Sequence, residues 1–159
     1  MSRRTRRHPD FMALALALAD EAANEGEVPV GAILVVEGKI VGRGRNRRRA
    51  DGDPLGHAEI MAISAGAKAV GSWRMPRSTL YVTLEPCPMC AGAILQSRID
   101  RVVFGCRDPK AGAVRSLYAM LEDPRLPHRA QVIEGILEDG CRQRLKSFFE
   151  ALRRGETSQ

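Results

Sequence analysis

Aromatic residues are scarce: four Phe, two Tyr and one Trp make up 4% of the 159-residue chain. Extended stacking of unpaired bases along a row of rings is therefore not supported. Cysteine is also sparse, with four residues (Cys87, Cys90, Cys106, Cys141). That is too few for a disulfide scaffold in a chain of this size, and a reduced, cytosolic compartment fits. No apolar stretch approaches the ~18 residues of a membrane span. There is no internal repeat and no low-complexity segment. Acidic side chains are outnumbered, 19 Asp and Glu against 25 Lys and Arg, for a net charge of +6. Such an excess favours a polyanionic partner and says nothing about fold. With 44% hydrophobic residues, the chain reads as one globular domain, able to bury roughly two thirds of its unfolded surface.

The N-terminus allows two readings. Arg3, Arg4, Arg6 and Arg7 precede an apolar run over residues 11–19, and Ala17-Leu18-Ala19 imitates a cleavage site, as in a secretory or twin-arginine signal. A helix fits better. Asp10 caps it, Phe11, Leu14, Leu18 and Ala22 share one face, and Gly26 closes it. Further along, residues 30–36 form a buried strand, with a hairpin partner over 39–44 after Glu37-Gly38. Residues 45–56 are an arginine-rich loop broken by Asp53-Pro54. A helix runs from His57 to about residue 70, and a strand covers 79–83. Pro86 ends that strand, and Pro88 sits in the first turn of a helix to about Ser97. Strands follow over 101–105 and 131–134, with a short helix expected over 115–121 between them. A closing amphipathic helix over 141–153 places Leu145, Phe148, Phe149 and Leu152 on one side. Strands alternating with helices imply an α/β layer fold with helices on both faces of the sheet.

The chemistry sits in His57-Ala58-Glu59 and Pro86-Cys87-Pro88-Met89-Cys90. One imidazole and two thiolates make three zinc ligands and leave a fourth position for water or substrate, as in catalytic zinc sites. Both groups fall at helix starts, where free N–H groups and partial positive charge favour thiolates. Two thiolates cancel the charge of Zn²⁺, so a water there needs a nearby base, and Glu59 can move its protons. A thioredoxin-like redox pair would use the Cys-x-x-Cys but leave His57-Ala58-Glu59 unexplained. A structural site closed by Cys106 or Cys141 is the other alternative.

At these residues the chain resembles the zinc-dependent nucleobase deaminases of the cytidine/deoxycytidylate deaminase superfamily, whose established hallmark is this His-x-Glu and Pro-Cys-x-x-Cys pairing. Within it the chain is similar to the tRNA-directed adenosine deaminase branch, through Glu27-Val28-Pro29-Val30-Gly31-Ala32, Gly44-Arg45-Asn46, residues 80–87, Arg107-Asp108-Pro109-Lys110 and the Phe148-Phe149 helix. The resemblance covers roughly residues 8–153. It implies a single deaminase domain over 1–159, with tails over about 1–8 and 155–159. The implied fold is a three-layer α/β/α arrangement around a mixed five-stranded sheet, cytidine deaminase-like. His57, Cys87 and Cys90 would hold one zinc per subunit and Glu59 would shuttle protons. Water would add to C6 of adenine and ammonia would leave, giving inosine at the wobble base of a tRNA. Asn46 would hydrogen-bond the flipped base; Val28, Ala58 and groups near Glu85 and Pro86 would line its pocket, with Phe149 at the wall. Asp108 and Lys110 would meet flanking nucleotides. The resemblance further implies a cytoplasmic homodimer that binds the anticodon loop.

Two arginine-rich stretches, Arg43, Arg45, Arg47, Arg48 and Arg49, and Arg142, Arg144, Lys146, Arg153 and Arg154, are candidates for phosphate contact. Leu55-Gly56, Arg115 and Pro127 depart from the family pattern at loops near the expected RNA. A free-base or mononucleotide deaminase for guanine or cytosine shares the zinc motif, and a noncatalytic zinc-stabilised RNA-binding module would share the charge.

Overall fold

The computed structural model describes residues 6–155. Arg3 and Arg4, and the C-terminal tail beyond Gly155, lie outside the described residues, while His8 already belongs to the first helix. The elements are α1 (His8–Asn24), β1 (Gly31–Val36), β2 (Lys39–Arg45), α2 (Ala58–Val70), β3 (Ser78–Leu84), α3 (Pro88–Gln96), β4 (Arg101–Cys106), β5 (Gln131–Glu134) and α4 (Glu138–Arg153). Among the described residues the strands form one sheet in the order β2-β1-β3-β4-β5. β1 is antiparallel to β2 and β3, and β3, β4 and β5 run parallel. The expected mixed five-stranded sheet is found.

Side chains alternate across the pleat and build two cores. Ala32, Leu34, Leu80, Val82, Val102 and Phe104 face α2 and α3. Ile33, Val35, Tyr81 and Val103 face Phe11, Met12 and Leu16 of α1 and Cys141 of α4. Helices on both faces make three layers, and each fully buried large apolar side chain contributes about 1.5–3 kcal/mol. No helix among the described residues is long and apolar enough to cross a membrane.

Four expectations are corrected. Asp10 is not the N-cap of α1. Arg7 is, with Pro9 in the first turn, and the Asp10 carboxylate reaches back to accept the Arg7 N–H at 2.7 Å. The buried face of α1 is Phe11, Met12, Ala15, Leu16, Ala19 and Ala22, with Leu14 exposed. The helix lies so close to β1 that a Cβ at Gly31 would run into the Ala15 carbonyl, so alanines occupy the contact. Residues 115–121 are not a helix; only a 3-10 turn at Met120–Glu122 forms. α4 also begins earlier than residue 141, with Glu138 and Asp139 in its first turn, where the helix dipole favours acids.

The sheet brings the site together at one edge. The start of β1, the end of β2 and the carboxyl ends of β3 and β4 meet there, and α2 and α3 both begin beside it. Gly44 seats α2: a Cβ on it would collide with the carbonyl of Ala58, the first residue of that helix. Ligands of open α/β sheets bind outside the carboxyl ends of strands.

Candidate metal centre and its cavity

His57 is the N-cap of α2 and Cys87 the N-cap of α3, both with extended backbone. Neither side chain makes a capping hydrogen bond, so imidazole and thiol are left for other partners. Cys90 lies in the first turn of α3, fully buried. Nδ1 of His57 is 3.6 Å from Sγ of Cys87 and 3.4 Å from Sγ of Cys90. The three donor atoms lie within 4.8 Å of one another. A tetrahedral ion with metal–sulfur bonds of ~2.3 Å and metal–nitrogen bonds of ~2.0 Å sets sulfur–nitrogen edges of roughly 3.5 Å. The observed separations fit zinc. Neither remaining cysteine joins the cluster: Cys106 points its thiol at the Thr83 carbonyl, 3.6 Å away, and Cys141 packs against Gly105.

The electrostatics suit a cation. A hydrogen bond from Cys90 draws the Cys87 thiol down to about 4, with His57 adding to the effect. The same hydrogen bond, with burial, pushes Cys90 up, and the bond to Cys87 raises His57. A metal ion bound by these three groups would release the protons they hold. Glu59, on the first turn of α2, is buried, and burial pushes its carboxyl above the usual range.

A cavity of about 500 Å³ opens over His57, Glu59 and Cys87. Of the expected substrate residues, Val28, Asn46, Ala58, Glu85, Asp108, Lys110 and Phe149 line it. Pro86 does not: it is buried, and its carbonyl accepts the Ala113 N–H at 2.8 Å. Asn46 is held by its own amide, Nδ2 donating to the Val28 carbonyl at 3.3 Å and Oδ1 accepting the Arg48 N–H at 3.2 Å. Phe148 is buried while Phe149, edge-on to it, reaches the cavity.

Several expected phosphate contacts are already paired within the chain. Arg45 meets Glu25 at 2.8 Å, Arg47 meets Asp51 at 3.1 Å, Arg142 meets Glu138 at 2.7 Å and Arg144 meets Asp20 at 2.9 Å. Arg115, the departure from the family pattern, bridges Glu122 at 2.9 Å and Glu134 at 3.6 Å.

Two buried glutamates shape the loops around the cavity, and reading the sequence missed this role for both. Glu27 accepts the backbone N–H of Arg49 at 3.1 Å and of Ala50 at 2.8 Å. Glu85 accepts those of Asp108 (3.0 Å), Val114 (3.1 Å), Arg115 (2.7 Å) and Ser116 (2.8 Å), and the Ser116 hydroxyl at 2.5 Å. The only local signal was an acid adjoining an apolar strand.

Burial alone would raise the Glu85 carboxyl, but hydrogen bonds from Ser116, Arg115 and Asp108 outweigh it and hold it below its ordinary value. The stability this contributes is present above the ordinary carboxylate range and is lost as pH falls through the lowered value. Glu85→Gln should therefore cost about 3 kcal/mol, lowering the melting midpoint by roughly 6–12 °C for a chain of this size. It should also remove part of the acid-induced loss of stability. An unaltered melt across the acid range would show that the loop does not depend on this carboxylate.

The fold and the three-donor centre define a zinc-binding deaminase. Residues 5–106 match the family described as the cytidine and deoxycytidylate deaminase zinc-binding region, and the chain belongs to that family. Its relatives place it more narrowly. It is 46% identical over 144 residues to the tRNA-specific adenosine deaminase of Bacillus subtilis, across 91% of this chain and 89% of that protein. It is 49% identical over 144 residues to the enzyme of the same name from Haemophilus influenzae, across 90% and 83%. A solved structure from work on A-to-I editing by tRNA:A34 deaminases at the wobble position superposes with a TM-score of 0.82 at 44% identity, covering 85% of this chain and 98% of that one.

Proposed function

We propose that this protein hydrolytically deaminates adenosine to inosine at the wobble position of a tRNA anticodon. The observation that carries the reading is the three-donor cluster beside buried Glu59 at the floor of a cavity edged by Asn46 and Phe149. The similarity to tRNA-specific adenosine deaminases along nearly the whole chain supports adenosine in tRNA over a free guanine or cytosine base.

His57, Cys87 and Cys90 would hold the metal. Zinc held there would supply a water acidic enough to serve as nucleophile near neutral pH. Glu59 would carry the proton between the nucleophile and the departing amino group on a carboxylate oxygen. Val28, Ala58 and Phe149 give the base an apolar slot, and the fixed Asn46 amide presents polar atoms to it. A base already unstacked in an anticodon loop costs less to extrude than a paired one. The homodimeric, cytoplasmic state implied by the resemblance belongs to the same reading.

The test is incubation of zinc-loaded protein with an anticodon stem-loop carrying a wobble adenosine, beside free adenine, guanine and cytosine. Inosine should form in the stem-loop alone. Turnover of a free base with none in the RNA would replace this reading with a nucleobase deaminase.

A further inference from the structure

Internal ion pairs sort the basic residues of this chain. Three cations line the cavity: Arg48, Arg107 and Lys110. Arg107 is taken up by a two-pronged contact with Glu134, both distances 2.8 Å. Among the described residues, no carboxylate pairs with the side chain of Arg48 or Lys110, and both are exposed. The more conspicuous neighbours Arg45 and Arg47 are tied to Glu25 and Asp51.

The backbone beneath each of these two cations is fixed from inside. Arg48 sits in the turn after β2, where its N–H donates to Asn46 and the next two N–H groups donate to buried Glu27. Lys110 sits in the loop after β4. Its N–H donates to the Asp108 carboxylate at 3.1 Å, and the Asp108 N–H donates to buried Glu85. A surface cation on a loose loop loses most of its attraction to the entropy of ordering it. Here two buried carboxylates have already ordered the loops.

We propose that Arg48 and Lys110 form a two-point phosphate clamp at the mouth of the cavity, gripping backbone phosphates of the strand whose base enters it. The proposal rests on the nucleic-acid reading above and deepens it. The flat guanidinium fork of Arg48 suits two phosphate oxygens, and the Lys110 ammonium acts as a compact point charge. Glu27 and Glu85 are then positioning residues, acting through the loops they hold. The clamp places phosphate recognition at the cavity mouth and leaves Arg45, Arg47, Arg142 and Arg144 as internally paired scaffold. Arg48 belongs to the loop that also carries Asn46, so phosphate contact and base contact share one rigid segment.

The experiment compares zinc-loaded wild type, Arg48→Ala, Lys110→Ala, the double variant and Lys68→Ala. Lys68 is exposed on the last turn of α2, outside the cavity. Binding of a stem-loop RNA is followed against salt, and deamination against substrate concentration. Each clamp substitution should reduce the slope of log affinity on log salt by about 0.7, the value per phosphate contact on single strands, and the double variant by about 1.4. KM should rise several-fold with kcat nearly unchanged, because the contact is made equally in ground and transition states. Lys68→Ala should match wild type. Slopes and KM unchanged in the single and double variants overturn the clamp, and a loss confined to one residue overturns its two-point form. The wobble reading fails separately, if wild type makes no inosine, and the binding slopes still decide the clamp.

Discussion

Glu59→Gln is expected to lower deamination by about 10²–10⁴-fold, the usual contribution of a positioned general acid–base group. Zinc content and RNA affinity should stay at wild-type levels. The substitution keeps the volume of a buried side chain on the first turn of α2 and removes only its ability to take and return a proton. Truncation would be less informative, because a cavity beside the metal ligands would disturb packing as well as chemistry. Inosine formation by Glu59→Gln is measured with substrate in excess, and zinc by metal analysis of the same sample. A variant that binds zinc and RNA normally but turns over at the wild-type rate would reduce Glu59 to a packing residue.

Removal of the metal should have the second large effect: deamination falls to background and returns when zinc is added back, while the fold persists. The two buried cores are complete without the cluster, which lies at the sheet edge where α2 and α3 begin. The stability zinc supplies is therefore a binding increment, about 2.7 kcal/mol at a free concentration a hundred times the dissociation constant. For a chain of this length that lowers the melting midpoint by roughly 5–11 °C. A small zinc-folded module would instead lose its structure on chelation. Far-ultraviolet circular dichroism and activity, followed together during titration with a chelator, separate the two. Coincident loss of both signals would make the metal a structural staple.

What could be read from the sequence follows from how local each signal is. The strands announced themselves because apolar residues such as those in Ala32-Ile33-Leu34-Val35 are buried on both faces of a covered sheet. Zinc was legible because its three donors come from two short motifs, each at a helix start. The segment from Arg115 to Leu121 misled for the opposite reason. Its pattern permits a helix, but the Met120 N–H, which a helix would bond to the Ser116 carbonyl, donates to that of Ala113 at 3.0 Å, and the loop is fixed by N–H groups of Val114, Arg115 and Ser116 donating to Glu85, about thirty positions away in sequence. The distant pairing of Glu27 with Arg49 and Ala50 was equally invisible. The Arg47 and Arg144 ion pairs, with Glu25 just past the end of α1 and Asp20 within it, turned apparent nucleic-acid contacts into internal ties. Only the fold distinguishes these from Arg48, which carries the same charge in the same stretch.

The most direct test of the account is X-ray absorption at the zinc edge on catalytically active protein, with metal stoichiometry measured on the same preparation. One zinc per chain, bound by two sulfurs, one imidazole nitrogen and one light oxygen donor, is the expected result. A third sulfur or a second imidazole in place of the oxygen, or full activity in protein free of zinc, would contradict it.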